Sequence, residues 1–286
     1  MVAHLGGKTA KIPLEVQVRV KCMVPGYKGE ISSEECLACA ANPETHRCQY
    51  DYGILRFIYR DRQDRPDVHV TDLTGCLRKA FFDKTRTIVS WAHQSLVLAL
   101  GSITHGLLET EAEVDECEMA VDALGVKGTA DRVHWVPGGA RVVDYKTTRW
   151  LKPSNLPYGS HELQVNIYAQ LLREQGIRVK SAAIQYIDLS GPTKCRKCNL
   201  PVIPDENGLV CPSCGAYPGG AHLGAVLYEV ELHNADEIRA LIEERRDTLV
   251  LALEMESPPE AEPGFLCNYC GHREVCQEGR RQVGEE

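Results

Sequence analysis

Val126-Lys-Gly128-Thr-Ala-Asp131-Arg-Val-His-Trp-Val136 runs into Pro137-Gly138-Gly139, and Ala140-Arg-Val-Val-Asp144-Tyr145-Lys146-Thr147 follows. Both flanks read as strands, Val126–Val136 and Arg141–Tyr145, and the Pro-Gly-Gly between them is turn chemistry, so the stretch predicts a hairpin. With the turn centred near Gly138-Gly139, Asp131 falls opposite Lys146 and Val133 opposite Asp144. Side chains two apart on a strand share a face, so Asp131, Asp144 and Lys146 converge on one side of the sheet. Two carboxylates there offer hard oxygen ligands to Mg²⁺ or Mn²⁺, and a lysine beside them can hold and help deprotonate a water. That is the recipe for metal-assisted hydrolysis of a phosphodiester. For an isolated Asp-x-Lys, a common tripeptide, an exposed hairpin with a surface ion pair is the favoured reading, so the flanking elements have to decide.

Upstream, a helical segment around Gln94–Glu113 has an apolar face of Leu96, Leu100, Ile103 and Leu107, and carries Gly101-Ser-Ile-Thr-His105. A neutral imidazole at His105 is a further candidate metal ligand; beside an apolar stripe it is also an ordinary core residue. Downstream, a helix over Glu162–Glu174, stopped by Gly176, puts Gln164 and Tyr168 four apart on one face. Further expected elements are a strand at Leu14–Val20, a helix at Leu73–Lys84, and strands over Lys180–Leu189 and Ala225–Glu231. A last helix runs from Asn234, with Glu237 as capping-box partner, to Met255. Their order predicts a mixed α/β core.

The chain has 286 residues, 43% hydrophobic and 25% charged, which excludes disordered, collagenous and coiled-coil classes. No apolar run approaches the roughly 18 residues that cross a bilayer. Met1–Arg19 has no apolar core of a signal peptide, so the expectation is a cytoplasmic protein with no membrane partner. The net charge of −8 argues mildly against general nucleic-acid binding, softened by local clusters at Arg78, Lys79, Lys84 and Arg86 and at Lys194, Arg196 and Lys197.

Thirteen cysteines in such a chain point to metals rather than disulfides. Cys195-x2-Cys198-x12-Cys211-x2-Cys214, with Gly215 after the second knuckle, spells a four-cysteine zinc ribbon. Cys267-x2-Cys270-x5-Cys276 supplies three thiolates and needs a fourth ligand: Cys76 or Cys117 for a cubane cluster, or His272 for zinc. Cys22, Cys36, Cys39 and Cys48 form a looser set, with His46 as a substitute, for a second zinc. Residues 1–65 therefore read as a cysteine-rich N-terminal unit. Residues 66–286 read as the main domain, with an insertion at 191–222 and a metal-binding C-terminal segment at 264–280.

The series Gly101-x3-His105, Gly128-x2-Asp131, Asp144-Tyr145-Lys146-Thr147 and Gln164-x3-Tyr168 resembles the RecB-like branch of the PD-(D/E)XK nucleases. The resemblance implies a restriction-endonuclease-like α/β core. His105, Asp131, Asp144 and the Tyr145 carbonyl would be Mn²⁺ or Mg²⁺ ligands, Lys146 would position the attacking water, and Gln164 and Tyr168 would support the site and DNA binding; Glu109 is a weaker candidate. Cys76 with Cys267, Cys270 and Cys276 resembles the iron–sulfur nucleases of the CRISPR-associated Cas-four family and of AddB, which implies a [4Fe-4S] cluster clipping the last segment to the first helix. Cys117 is then left over as a buried or free thiol. The function this implies is a metal-dependent deoxyribonuclease acting exonucleolytically on single-stranded ends, in CRISPR adaptation beside the integrase complex. The alternatives are end processing in repair or recombination with a helicase, and a non-catalytic zinc-ribbon nucleic-acid adaptor.

Overall fold

The hairpin forms the middle of a five-stranded sheet in the computed structural model, which describes residues 18–22, 29–42, 44, 48, 50–59, 66–86, 88–91, 100–101, 116–149 and 151–276. Numbered in chain order, β4 (Glu116–Ala123), β5 (Val126–Val136), β6 (Gly139–Thr148), β7 (Val179–Asp188) and β10 (Ala225–Val230) lie in the order β10-β7-β6-β5-β4. β4, β5 and β6 form an antiparallel meander, β6 and β7 are parallel, and β10 closes the other edge antiparallel to β7. The first hairpin strand matches the expected Val126–Val136, the second is longer at both ends than Arg141–Tyr145, and the turn is tighter. Val136 pairs with Gly139, leaving Pro137 and Gly138 as the turn, with Gly138 at φ +77°. Proline followed by a left-handed glycine is the type II arrangement. Val133 consequently faces Val142 rather than Asp144, and the register carried on sets Asp131 beside Asp144 rather than Lys146. This two-residue shift preserves parity, so the side chains keep their face.

The parallel β6–β7 pair requires a crossover, and α5 (Gly159–Glu174) supplies it, packing on β4, β6 and β7. Every residue from Gln164 to Leu172 is buried, so the helix is covered all round. It ends in a Schellman motif: Ile177 N–H reaches Leu172 O at 3.0 Å, and Gly176, at φ +84°, donates to Arg173 O at 2.9 Å. Buried Asn166 ties α5 to the chain after β10, donating to Glu231 O at 3.2 Å and accepting from His233 N at 2.9 Å. The following helix, α6 (Ala235–Glu254), is capped by Asn234, whose Oδ1 accepts from Asp236 N at 2.9 Å. The sheet and α5, with α3 (Val70–Leu73), belong to a compact unit of His69–Thr74 and Leu100–Glu243. Inserted between β7 and β10 is a small hairpin of β8 (Ile203–Asp205) and β9 (Gly208–Val210).

The second compact unit comprises Met1–Val68, Gly75–Ala99 and Glu244–Glu286. Its sheet places β1 (Val18–Lys21) between antiparallel β2 (Glu30–Ser32) and parallel β3 (Ile88–Trp91). α1 (Ser33–Ala41), α2 (Tyr52–Ile58) and α4 (Leu77–Thr85) belong to the same unit. The helix expected over Leu73–Lys84 is thus two, α3 and α4, separated at Thr74-Gly75-Cys76, where Cys76 adopts extended geometry as the N-cap of α4. The Gln94–Glu113 helix falls outside the described residues except for Leu100 and Gly101, which are helical. The Leu14–Val20 strand is described only from Val18. Strand β4 was not expected, although Cys117, Met119, Val121 and Ala123 alternate with Glu116, Glu118 and Asp122; Glu118, at φ +49°, drops out of its ladder. No helix among the described residues is long and apolar enough to cross a membrane.

Candidate active site

The β5–β6 ladder ends at Arg132↔Val143, and beyond it the strands are joined by a side chain. Tyr145 N–H donates to Asp131 Oδ2 at 2.8 Å. At the same level, Lys146 Nζ lies 2.7 Å from Asp144 Oδ2. The Asp144 side chain is 1% exposed and that of Lys146 21%, so the lysine reaches from the surface to a buried carboxylate. Asp131, Asp144 and Lys146 therefore meet at one fork, with the Tyr145 main chain between them.

Helix α5 covers this fork. Buried Tyr168 is hydrogen-bonded by Gln164 and feels both carboxylates: burial pushes its phenol well above the ordinary range, and Asp144 and Asp131 push it further. The close fit explains Gly128. A Cβ there would come within 2.8 Å of Val70 Cγ2 and 3.0 Å of Tyr168 Cε1, so only glycine lets α3, α5 and β5 approach. Gly101 abuts the site in the same way, since a Cβ would stand 2.9 Å from Thr147 Oγ1. His105 and Glu109 lie outside the described residues.

Two residues of the site escape a reading of the sequence. His161 precedes Gln164 by one turn of α5, and its Nδ1 is 2.9 Å from the Tyr186 hydroxyl. Tyr186 is the β7 partner of Lys146 and also accepts from Tyr158 N at 3.2 Å. Burial, then the Lys146 charge, push the His161 imidazole down to about 4, so it is neutral at physiological pH. Burial, with Asp144 among the lesser causes, pushes the Tyr186 phenol up to about 12. The spacing of His161, Gln164 and Tyr168 was a readable helical-face signal. Tyr186 becomes visible only through the β6–β7 register.

The cysteines fall into separate places. Cys195, Cys198, Cys211 and Cys214 bring their sulfurs within 4.8 Å of one another, and among the described residues this is the set of metal-ligating groups gathered so tightly. The two knuckles are built alike: Asn199 N–H returns to Cys195 O at 2.8 Å and Gly215 N–H to Cys211 O at 3.0 Å, both donors having positive φ. Backbone N–H groups of Cys214 and Ser213 lower the Cys211 thiol, while side-chain bonds with Cys198, Cys211 and Cys195 outweigh the Ala216 backbone bond and raise the Cys214 thiol, so one proton is held within the crowded group. The four-cysteine group can bind a metal.

In the other unit, the C-terminal segment is strapped along α4. Cys76 Sγ accepts from Glu262 N at 3.5 Å, Glu262 Oε1 accepts from Leu77 N at 3.1 Å, and Arg78 Nε donates to Pro259 O at 2.7 Å. Arg245 bonds both oxygens of Glu262 at 3.1 Å and also Gly75 O. Cys267 Sγ accepts from Gly264 N at 3.4 Å, and Cys270 interacts electrostatically with Cys267 and with Lys79 and Asp83 of α4. His272 is buried against Phe82, its Nε2 2.8 Å from Asp83 Oδ1. Cys22, Cys36, Cys39 and Cys48 lie around α1 in the same unit; Cys117 is in β4, with its side chain outside the described residues.

No curated protein matches the sequence. The chain is similar to a solved structure, the crystal structure of SSO0001, at 18% identity and a TM-score of 0.45, over 79% of this chain and 95% of that one. The model of the PD-(D/E)XK nuclease superfamily matches residues 54–277. That span contains the fork of Asp131, Asp144 and Lys146 and the helix of Gln164 and Tyr168, and the chain belongs to the PD-(D/E)XK nuclease superfamily.

Proposed function

We propose that the protein is a metal-dependent deoxyribonuclease that acts on single-stranded ends. The observation that carries this reading is the fork, where two acidic side chains on adjoining strands are accompanied by one lysine, Lys146, at 2.7 Å from Asp144. Hard carboxylate oxygens beside a main-chain carbonyl suit Mg²⁺ or Mn²⁺, so Asp131, Asp144 and the Tyr145 carbonyl would hold the ion, with His105 as a further ligand by its motif spacing. Such an ion supplies Lewis-acid stabilisation of the charge that grows on a phosphate. Lys146, anchored by Asp144 and partly exposed, holds the attacking water and lowers the cost of removing its proton. Tyr168, hydrogen-bonded by Gln164, stands within electrostatic reach of both carboxylates. Neutral His161 holds Tyr186 beside Lys146 without adding a competing positive charge.

The donor chemistry of the C-terminal set fits a [4Fe-4S] cluster. The Cys76 and Cys267 sulfurs both accept backbone N–H groups, the kind of bond that tunes cluster thiolates. His272 Nε2 is engaged by Asp83, so only its Nδ1 could serve as a metal donor. The ribbon suits Zn²⁺. Its exposed Lys194, Arg196 and Lys197 can meet phosphates. The resemblance of Cys76, Cys267, Cys270 and Cys276 to the ligand set of the CRISPR-associated iron–sulfur nucleases supports reading spacer-precursor processing in CRISPR adaptation, beside the integrase complex, as the context of this activity. Mn²⁺-dependent cleavage of labelled single-stranded DNA by anaerobically purified protein tests the reading, with Asp131→Ala as the control. Cleavage lost in the variant is expected; binding without cleavage by the metal-replete wild type would instead favour a nucleic-acid adaptor.

A further inference from the structure

We infer that Cys22, Cys36, Cys39 and Cys48 bind a Zn²⁺ ion that holds the region from β1 to α2 together. This assignment is independent of the nuclease reading.

The backbone brings the four cysteines into the same region by separate routes. Cys22 directly follows β1, its N–H closing on Gly29 O at 3.4 Å, and the chain returns through β2 into α1. The start of α1 is fixed by a capping box, Ser32 N–H to Glu35 Oε2 at 2.7 Å and Glu35 N–H to Ser32 Oγ at 3.1 Å. With that start fixed, Cys36 and Cys39 stand three apart on one side of the helix. Cys48 lies on the segment leading to α2, its thiol donating to Tyr50 O at 3.4 Å. Cys22, Cys39 and Cys48 are all within electrostatic reach of Cys36, and none of the four is in a disulfide.

Two observations say what this convergence is for. The apolar core between α1 and α2 consists, among the described residues, of Ala40 and Leu55, with Cys36, Leu37, Cys48, Tyr50 and Tyr59 packed partly buried against it. That core is small for two short helices, and a metal commonly makes up such a deficit. The second observation is Tyr59. Its hydroxyl is buried without a hydrogen bond of full geometry, and it interacts with Cys36 and, more weakly, with Cys48 and Cys22. A thiol is a poor acceptor for such a donor, whereas a metal-bound thiolate is a good one. Four soft thiolates select Zn²⁺ over hard cations. The sulfurs are gathered less tightly than those of the ribbon. Cys22 and Cys48 lie outside helix and strand and can close on the helical pair without disturbing a regular element.

The test is metal analysis of the full chain purified with zinc present. The wild type should carry two zinc equivalents; Cys36→Ser with Cys39→Ser should lose one, and Cys195→Ser with Cys198→Ser the other. Should the first variant fail to fold, pulsed alkylation of the wild type reads the same point: Cys22, Cys36, Cys39 and Cys48 should be protected together and become reactive together when a chelator is added. Tyr59→Phe should keep the zinc but surrender it to the chelator several-fold faster. One zinc equivalent, lost entirely with the ribbon cysteines, would overturn the assignment. So would disulfides among the four, or iron in place of zinc following them.

Discussion

Replacing Lys146 with methionine removes the cation from a carboxylate that is 1% exposed, at 2.7 Å. Taking one partner from a buried ion pair costs about 3–5 kcal/mol, because the remaining charge keeps its desolvation penalty without its partner. The Lys146 side chain is 21% exposed, so the pair already draws some stabilisation from water and the lower end, about 3 kcal/mol, applies. In a domain the size of the unit containing His69–Thr74 and Leu100–Glu243, each kcal/mol moves the melting temperature by about 2–4 °C, which gives a loss of about 6–12 °C. Adding Asp144→Asn removes the stranded charge, and replacing both members of a buried pair with neutral groups of similar shape is close to neutral. The double variant should therefore recover most of the stability. Calorimetry without added Mg²⁺ or Mn²⁺ measures this, run beside the Mn²⁺ cleavage assay. Both variants should be inactive although only the single one is strongly destabilised, so the loss of activity does not follow from the loss of stability. A single variant that melts with the wild type, or a double variant no more stable than the single one, would refute the buried pair.

Cys76→Ala should remove the visible absorption of anaerobically purified protein and lower its stability; an unchanged spectrum would refute Cys76 as a cluster ligand. His161 supplies a pH dependence of stability. Burial and the Lys146 charge depress its imidazole from 6.5 to about 4, so between those values the unfolded chain binds the proton that the folded one refuses. Its contribution is complete above about pH 6.5 and is lost as the pH falls toward about 4. His161→Gln should flatten that part of the profile of denaturant midpoint against pH; an unaltered slope would show that the histidine is not held neutral.

The parts of the site that could be read from the sequence rest on local periodicity. Asp144 and Lys146 are two apart on a strand, and Gln164 and Tyr168 are four apart on a helix, so short-range geometry alone gives each pair its common face. The register between strands is a different kind of information. Centring the turn one residue late displaced Asp131 from Asp144 to Lys146, and only the parity of the pleat kept the conclusion about their shared face intact. Where a residue depends on a parallel pairing made across a helix, as Tyr186 does beside Lys146, nothing local announces it. Strand β4 does carry a legible period, Cys117, Met119, Val121 and Ala123 alternating with Glu116, Glu118 and Asp122, whereas α1 and α2, of 9 and 7 residues, are too short for a helical period to stand out.

Gly128 joins the two kinds of information. In the sequence it is a glycine inside a strand, which lowers β-propensity and marks a bulge or a close approach without saying to what. In the fold its missing side chain is the space occupied by the Tyr168 ring and Val70. Tyr168 in turn stands against Asp131 and Asp144. Gly128-x2-Asp131 and Gln164-x3-Tyr168 are therefore one packing solution: the glycine admits the tyrosine, and the tyrosine closes over the carboxylates. A larger residue at Gly128 would act on the acidic pair through Tyr168, although Gly128 itself has no group that could take part in chemistry.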